Sequence, residues 1–242
     1  MPELPQPHIV NLHKGKPYDY TYTVNKKLIY PDIHEELLQS AKFIYRMKVT
    51  DRLLLLSGLI DHDISSETVH YLFSYYQFCF DCISGKPDTA MYAPLGDLSE
   101  YGSPFPLHSD LYVQKMLMIV FDNVPLDDTG QTLLISTENF LMIICSLTTM
   151  PEEAKEYITR LLTDNNLKDR FNEFFDLLYD EKAPWLGELF KALESQQLMV
   201  KFLSGEGFLL HDRLWLHGRT APSCGIHEDR LHRLTFNNAE VS

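Results

Sequence analysis

The chain has 242 residues and a formal net charge of −13, with 45% hydrophobic and 12% aromatic residues. A chain of this length can bury roughly 70–75% of the surface it exposes when unfolded, and the composition excludes disorder. An acidic chain without a basic block is a poor partner for nucleic acid or an anionic membrane, and the longest apolar runs, Met116 to Phe121 and Phe140 to Cys145, fall far short of the roughly 20 residues that span a bilayer.

Residues 1–30 carry four prolines before Tyr18 to Val24, which alternates like a short strand. The N-terminus has no cationic region followed by an apolar stretch, so no secretory signal is expected. Pro31 and Asp32 open a predicted helix to about Met47, with Ile33, Leu37, Leu38, Ala41 and Ile44 at helical spacing. Asp61, His62 and Asp63 look ligand-like, but they precede a helix, and capping explains Asp63 to Ser66 better. A second helix is predicted over about 67–83, its stripe of Tyr71, Tyr75 and Phe78 reading as core. It includes Cys79 and Cys82, a C-x-x-C without a second pair at zinc spacing, so buried, reduced, structural thiols are expected. Four cysteines in a chain of this length do not make a disulfide framework, which fits a reducing, cytoplasmic compartment.

The texture then changes. Met116 to Phe121 reads as a buried strand, Pro125 to Gly130 as a turn, and Gln131 to Ile135 as another strand. Residues 137–196 read as mostly helical, with starts or breaks at Pro151 and Pro184. Strands return at Leu198 to Leu203, Gly207 to Leu210, Leu214 to His217 and Leu231 to Phe236, with Ser204 to Gly207 as a hairpin turn between the first two. No linker separates the strand groups. The expected fold is therefore mixed α/β with a mainly β core: one domain over residues 1–242, a sandwich or barrel wrapped by helices, with a helical insert at about 137–196.

Three positions carry the chemistry: His108, Asp110 and His217. On an extended strand, residues two apart share a face, so His108 and Asp110 can act as neighbouring ligands. A second histidine from a distant strand completes the two-histidine, one-carboxylate facial triad of non-haem iron oxygenases, which leaves three positions open.

The C-terminal segment runs His217-Gly-Arg-Thr, a short loop, Asp229-Arg230, then Arg233 on a strand. It resembles the end of the Fe(II)/2-oxoglutarate oxygenases of the clavaminate synthase and taurine dioxygenase type, which carry H-x-R-T, a loop, D-R and a final R. The stretch from Gly207 to Arg219 is also similar to that of glutarate hydroxylase. Leu107-His-Ser-Asp110, a buried strand and Thr129-Gly-Gln-Thr132 follow the same family order. The resemblance covers about residues 90–145 and 185–237.

It implies a double-stranded β-helix (jelly roll) binding Fe(II) through His108, Asp110 and His217, with 2-oxoglutarate and O₂ as co-substrates. An arginine would hold the far carboxylate of 2-oxoglutarate, its planar fork matching a carboxylate, and Thr132 would add a hydroxyl. Asp229-Arg230 matches the family's D-R and favours Arg230, whereas Arg233 aligns from the C-terminal side. The two are three apart, against four in the family, and on a regular strand they would face opposite ways. Arg219 is expected to share the face of His217 at most weakly, as a structural residue or a substrate contact. Glu100 lies where relatives have a pocket-lining loop. An aspartate at position 110 implies hydroxylation or another oxidation, since the related halogenases have Gly or Ala there. His227 and His232 match no motif role, and His211 to Arg213 reads as a salt-bridged loop.

The reading is a cytoplasmic Fe(II)- and 2-oxoglutarate-dependent oxygenase acting on a small soluble substrate: a free amino acid, a small carboxylate or a natural-product intermediate. The alternatives are a non-catalytic jelly-roll binding module and a cupin-like metal enzyme that does not use 2-oxoglutarate. The sequence leaves the oligomeric state open.

Overall fold

The computed structural model describes residues 8–11, 38–39, 41–42, 53–57, 66–86, 90–95, 104–110, 116–122, 124, 126–164, 170–221 and 230–236. Its strands are β1 (His8–Asn11), β2 (Leu54–Ser57), β3 (Ala90–Leu95), β4 (Phe105–His108), β5 (Met116–Asp122), β6 (Thr132–Ser136), β7 (Leu198–Val200), β8 (Gly207–His211), β9 (Trp215–Arg219) and β10 (Arg230–Phe236). Helices α1 (Ser66–Ser84), α2 (Thr137–Ser146), α3 (Glu152–Thr163), α4 (Phe171–Leu178) and α5 (Leu186–Glu194) complete the elements named here.

The strands form two sheets. One has six strands in the order β1-β2-β8-β5-β10-β3, and the other has four in the order β4-β9-β6-β7. All pairings are antiparallel except β1 with β2. From β3 to β6 the chain changes sheet at every strand, and it does so again from β7 to β10.

Side-chain alternation divides the apolar residues into three cores. Along β5, Leu117 and Ile119 pack with Phe208, Leu210, Trp215, Leu134 and Leu231, which come from both sheets. Met118 and Val120 point the other way, with Leu234 and Phe236, onto Phe73, Tyr76 and Phe80 of α1. On the four-stranded sheet, Leu107, Ile135 and Leu216 pack against Phe140, Ile144, Ile158, Leu161, Phe174 and Leu189 of α2 to α5. The mixed α/β architecture thus has helices on both outer faces and a mainly antiparallel β core.

Most expected elements match: α1, β5, β6, β8 to β10 and the four helices within 137–196 lie where periodicity puts them. The turn at Ser204 to Gly207 is a correction. Strand β7 pairs with β6 in one sheet, whereas β8 pairs with β2 and β5 in the other, so the segment crosses between sheets instead of closing a hairpin. Its backbone bonds go to the end of β5: Phe121 N donates to Glu206 O (2.8 Å) and Gly205 N to Phe121 O (2.8 Å). Gly205 has φ 84° there, a left-handed conformation that suits glycine. The returning strand is also shorter than expected, ending at Val200.

Of the predicted helix over 32–47, Leu38, Gln39, Ala41 and Lys42 are helical. The remainder of that helix, the expected strand at Tyr18 to Val24 and the Asp61–Asp63 cluster lie outside the described residues. The C-x-x-C is divided: Cys79 is buried and Cys82 exposed, both free thiols, and burial pushes the Cys79 thiol up to about 12. Among the described residues, no helix is long and apolar enough to cross a membrane.

One surface carboxylate ties the insert together. Glu188 of α5 accepts hydrogen bonds from the backbone N–H and hydroxyl of Thr148 (2.9 and 3.1 Å) and of Thr149 (3.2 and 2.8 Å), in the turn between α2 and α3. These bonds, that from the Thr148 backbone first, hold its carboxyl down at about 2. A depressed carboxyl contributes stability that is present above its unfolded value and lost as pH falls through the folded one. Glu188→Ala should therefore lower Tm by a few degrees at neutral pH, with the difference from wild type closing between about pH 4.5 and pH 2. Thermal melts of both proteins across that range check this; a gap independent of pH would remove the assigned role.

Candidate metal centre

His108 ends β4 and His217 sits in the middle of β9, and the two are register partners in antiparallel pairing. Their rings lie 4.3 Å apart between centroids, at 50°. Both are buried, at 3% and 8% exposure. Asp110 follows two residues after β4, its Oδ1 3.7 Å from His108 Nε2. One ligand atom each from His108, Asp110 and His217 all lie within 4.8 Å of one another, a group fit to hold a metal ion.

Asp110 lies two residues past the end of β4, whose register against β9 slips between Phe105 and His108. Gly218 makes the close approach possible. A Cβ there would meet Phe105 O at 2.7 Å, Leu107 N at 2.9 Å and the Pro106 carbonyl carbon at 2.9 Å. The backbone of β4 thus occupies the space of a missing side chain, next to His217.

The imidazoles are held in a state suited to a cation. Nδ1 of His108 is 2.9 Å from the Pro106 carbonyl, so it carries the proton and Nε2 presents its lone pair on the side of Asp110. Burial holds His108 below the ordinary histidine range, against the opposing effects of the Pro106 carbonyl and Asp110. His217 is held well below it by burial, then by His108 and Arg233. Nδ1 of His217 is buried without a hydrogen bond, an orphaned polar atom of the kind that a bound ion relieves by fixing the proton on one nitrogen. These residues fit a divalent transition metal of the iron type.

The other expected site residues divide by strand face. Inward positions of β6 and β9 are those of Leu134 and Trp215 in the inter-sheet core. By alternation they include Thr132, at 5% exposure, and Arg219, which is its register partner. Arg219 therefore shares the face of His217 more fully than the sequence led one to expect. On β10, Leu231 faces the inter-sheet core while Leu234 and Phe236 face α1, which gives Arg233 to the inward side. Its Nη1 lies 3.7 Å from Asp110 Oδ2, and its Nε is buried with no hydrogen-bond partner. Residue 230 pairs in register with Asp122; the side chain of Arg230 and the whole of Glu100 and His227 lie outside the described residues. His232 faces α1, stacked on Phe73 at 4.8 Å, with Nδ1 2.8 Å from the Tyr92 hydroxyl.

Sequence reasoning missed several neighbours. Asp212, read as part of a salt-bridged loop, is 1% exposed and takes hydrogen bonds from Ser109 and Asp110. Phe175 of α4 stacks on Phe105 at 5.5 Å, and the Phe105 ring in turn meets His108 edge-on at 4.4 Å. Tyr179 donates its hydroxyl to Leu107 O (2.6 Å). The helical insert therefore reaches the outer edge of β4 beside His108, and no local motif signals that.

No protein-family model and no curated protein matches the chain. Solved structures do resemble it. PvcB from Pseudomonas aeruginosa, described as an Fe, alpha-ketoglutarate dependent oxygenase from an isonitrile synthetic pathway, is 15% identical, with a TM-score of 0.47 over 82% of this chain and 80% of that one. Asparagine oxygenase is 12% identical, with a TM-score of 0.42 over 85% and 80%. The non-haem iron oxygenase OrfP is 12% identical, with a TM-score of 0.45 over 87% and 86%.

The β4–β9 contact gives a direct test. Gly218→Ala must push β4 off β9, at a cost of about 1–3 kcal/mol for overpacking, and should separate His108 from His217. Titration of the variant with Co(II) is expected to show weaker binding than wild type at temperatures where both are folded. Wild-type affinity in a folded Gly218→Ala protein would show that the close approach does not set the site.

Proposed function

We propose that the chain is an Fe(II)- and 2-oxoglutarate-dependent oxygenase, with Fe(II) held by His108, Asp110 and His217. The observation that carries the reading is the meeting of these three side chains with the guanidinium of Arg233 in the space between two β-sheets. Bound iron would supply redox chemistry with O₂ and open positions for a chelating co-substrate. The chain's own part is to hold and orient. The buried imidazoles offer neutral nitrogens, Asp110 adds one negative charge, and the inter-sheet core flanks the site, the Phe208 ring lying 6.1 Å from the His217 ring.

The second element is an anion site. Arg233 has a buried Nε–H without a partner, and a planar guanidinium suits a carboxylate. We assign the far carboxylate of 2-oxoglutarate to Arg233 in preference to Arg230, with Thr132 as a candidate hydroxyl donor. Arg219 and Glu100 are candidate substrate contacts, and retention of Asp110 favours oxygen insertion over halogenation. The substrate class is a small polar molecule such as a free amino acid, a small carboxylate or a natural-product intermediate. We read the two sheets, between which the chain repeatedly crosses, as a jelly roll (double-stranded β-helix). In this reading residues 1–242 form one domain, with 137–196 as a helical insert and a cytoplasmic location.

The test is anaerobic addition of Fe(II) and then 2-oxoglutarate, followed by absorption spectroscopy. Wild type should develop a visible charge-transfer band, and His108→Ala should not; a wild type without the band, or an unchanged band in His108→Ala, would overturn the proposal. Arg233→Gln should keep iron but weaken 2-oxoglutarate binding by roughly 10- to 150-fold, the equivalent of losing hydrogen bonds to a charged group, about 1.5–3 kcal/mol. Normal activity in a variant with both Arg230→Ala and Arg233→Ala would favour a metal enzyme that does not use 2-oxoglutarate. Oxygen-dependent succinate release, screened over pooled amino acids and small carboxylates, identifies the substrate and excludes a non-catalytic binding module.

A further inference from the structure

We infer that Asp212 is a positioning residue for the metal centre, acting by fixing the loop that carries Asp110; this rests on the metal-centre reading above. Asp110 lies beyond the end of β4, so among the described residues no ladder partner holds its backbone. Asp212 replaces the missing ladder. Its Oδ1 accepts from the Asp110 N–H at 3.2 Å, and its Oδ2 is 3.1 Å from the Ser109 hydroxyl, whose proton is shared with the Asp212 carbonyl at 2.8 Å. Asp212 and Ser109 are 1% and 2% exposed. Burying a carboxylate is costly unless donors meet it, and here two successive residues, Ser109 and Asp110, give one donor to each oxygen.

The location makes the contact consequential. Asp212 opens the turn between β8 and β9, and β9 carries His217. Ser109 and Asp212 are 103 residues apart in sequence. One side chain therefore joins the segment that bears His108 and Asp110 to the segment that bears His217. Loss of the clamp frees the Asp110 backbone to rotate, and with it the direction of the ligand oxygen. Loss of partners that orient metal ligands typically weakens metal binding by about 10- to 100-fold.

The experiment uses the full chain, with Co(II) alone as the probe, reading both affinity and the visible d–d spectrum, with thermal melts of the metal-free proteins alongside. Asp212→Ala should bind Co(II) about 10- to 100-fold more weakly and with an altered spectrum. Asp212→Asn keeps a carbonyl oxygen for the Asp110 N–H and an amide that Ser109 can accept from, so it should stay within about threefold of wild type with a wild-type spectrum. Should Asp212→Ala fail to fold, Ser109→Ala carries the test. It removes one of the two residues the carboxylate holds, and an expected loss of about 2- to 10-fold follows. Wild-type affinity and spectrum in folded Asp212→Ala, or in Ser109→Ala where that variant decides, overturns the inference while leaving the metal centre standing. Equal losses in the Ala and Asn variants overturn it as well. A wild type that does not bind Co(II) sinks the metal-centre reading, and the inference with it.

Discussion

The site depends on how closely β4 can lie against β9. Strand β4 is the edge of the four-stranded sheet and has only four residues, so few ladder bonds hold it. At Gly218 its backbone comes to within 2.7–2.9 Å of where a side chain would begin. That approach sets the two imidazoles at a centroid separation of 4.3 Å, and Asp110, two residues past the end of β4, stands beside them. An exposed edge strand would be a liability. Tyr179 covers it from the insert by bonding to the Leu107 carbonyl.

This geometry has an electrostatic cost. Two buried imidazoles cannot both be charged, and burial holds both below the ordinary histidine range. Next to them stand Asp110 and the guanidinium of Arg233, 3.7 Å apart. Without a cation that pair is the local charge balance. With a divalent ion on the triad, Asp110 has a stronger partner, and the guanidinium, its Nε still unpaired, is left for an anion. The same arginine lowers His217 further, which keeps that nitrogen available. The proposed metal and the proposed co-substrate are thus two parts of one charge balance.

Much of this was legible in the sequence, for identifiable reasons. Strong periodicity located α1, β5, β6 and the helices after Thr137, because each buries a wide apolar face. The triad was legible because His108 and Asp110 are adjacent and the segment after His217 carries a recognisable order of residues. What stayed hidden depends on partners distant in sequence. Strand β3 reads Ala-Met-Tyr-Ala-Pro-Leu, with no clear alternation, and it exists because β10 pairs with it over six residues. The Ser204 turn has the composition of a hairpin, but its bonds go to β5, and local chemistry cannot reveal which sheet receives the next strand. Between Arg230 and Arg233 the sequence offered two alignments, and strand alternation gives the inward side to Arg233. Asp212 was hidden for the same reason: it sits in a charged triplet that looks like surface, and only the fold buries it against Ser109.

The helical insert also follows from the topology. It leaves β6 at Ser136 and returns as β7, which pairs with β6 itself, Thr132 opposite Val200. It is therefore an enlarged connection between adjacent antiparallel strands. Lengthening such a connection costs little, because closure entropy grows only with the logarithm of loop length. The insert is nevertheless fastened to the core. Thr137 donates its N–H to Leu214 O and its hydroxyl to Arg213 O (2.8 and 2.7 Å), and Arg213 Nη2 donates to Thr163 O (2.6 Å). All three bonds end on the turn at 212–214, whose first residue holds the Asp110 loop and whose continuation is the strand of His217. The insert, the ligand loop and the second histidine thus share a single turn. A displacement of α2 or α3 would be felt at His108, Asp110 and His217 through that turn before it reached them through the sheet.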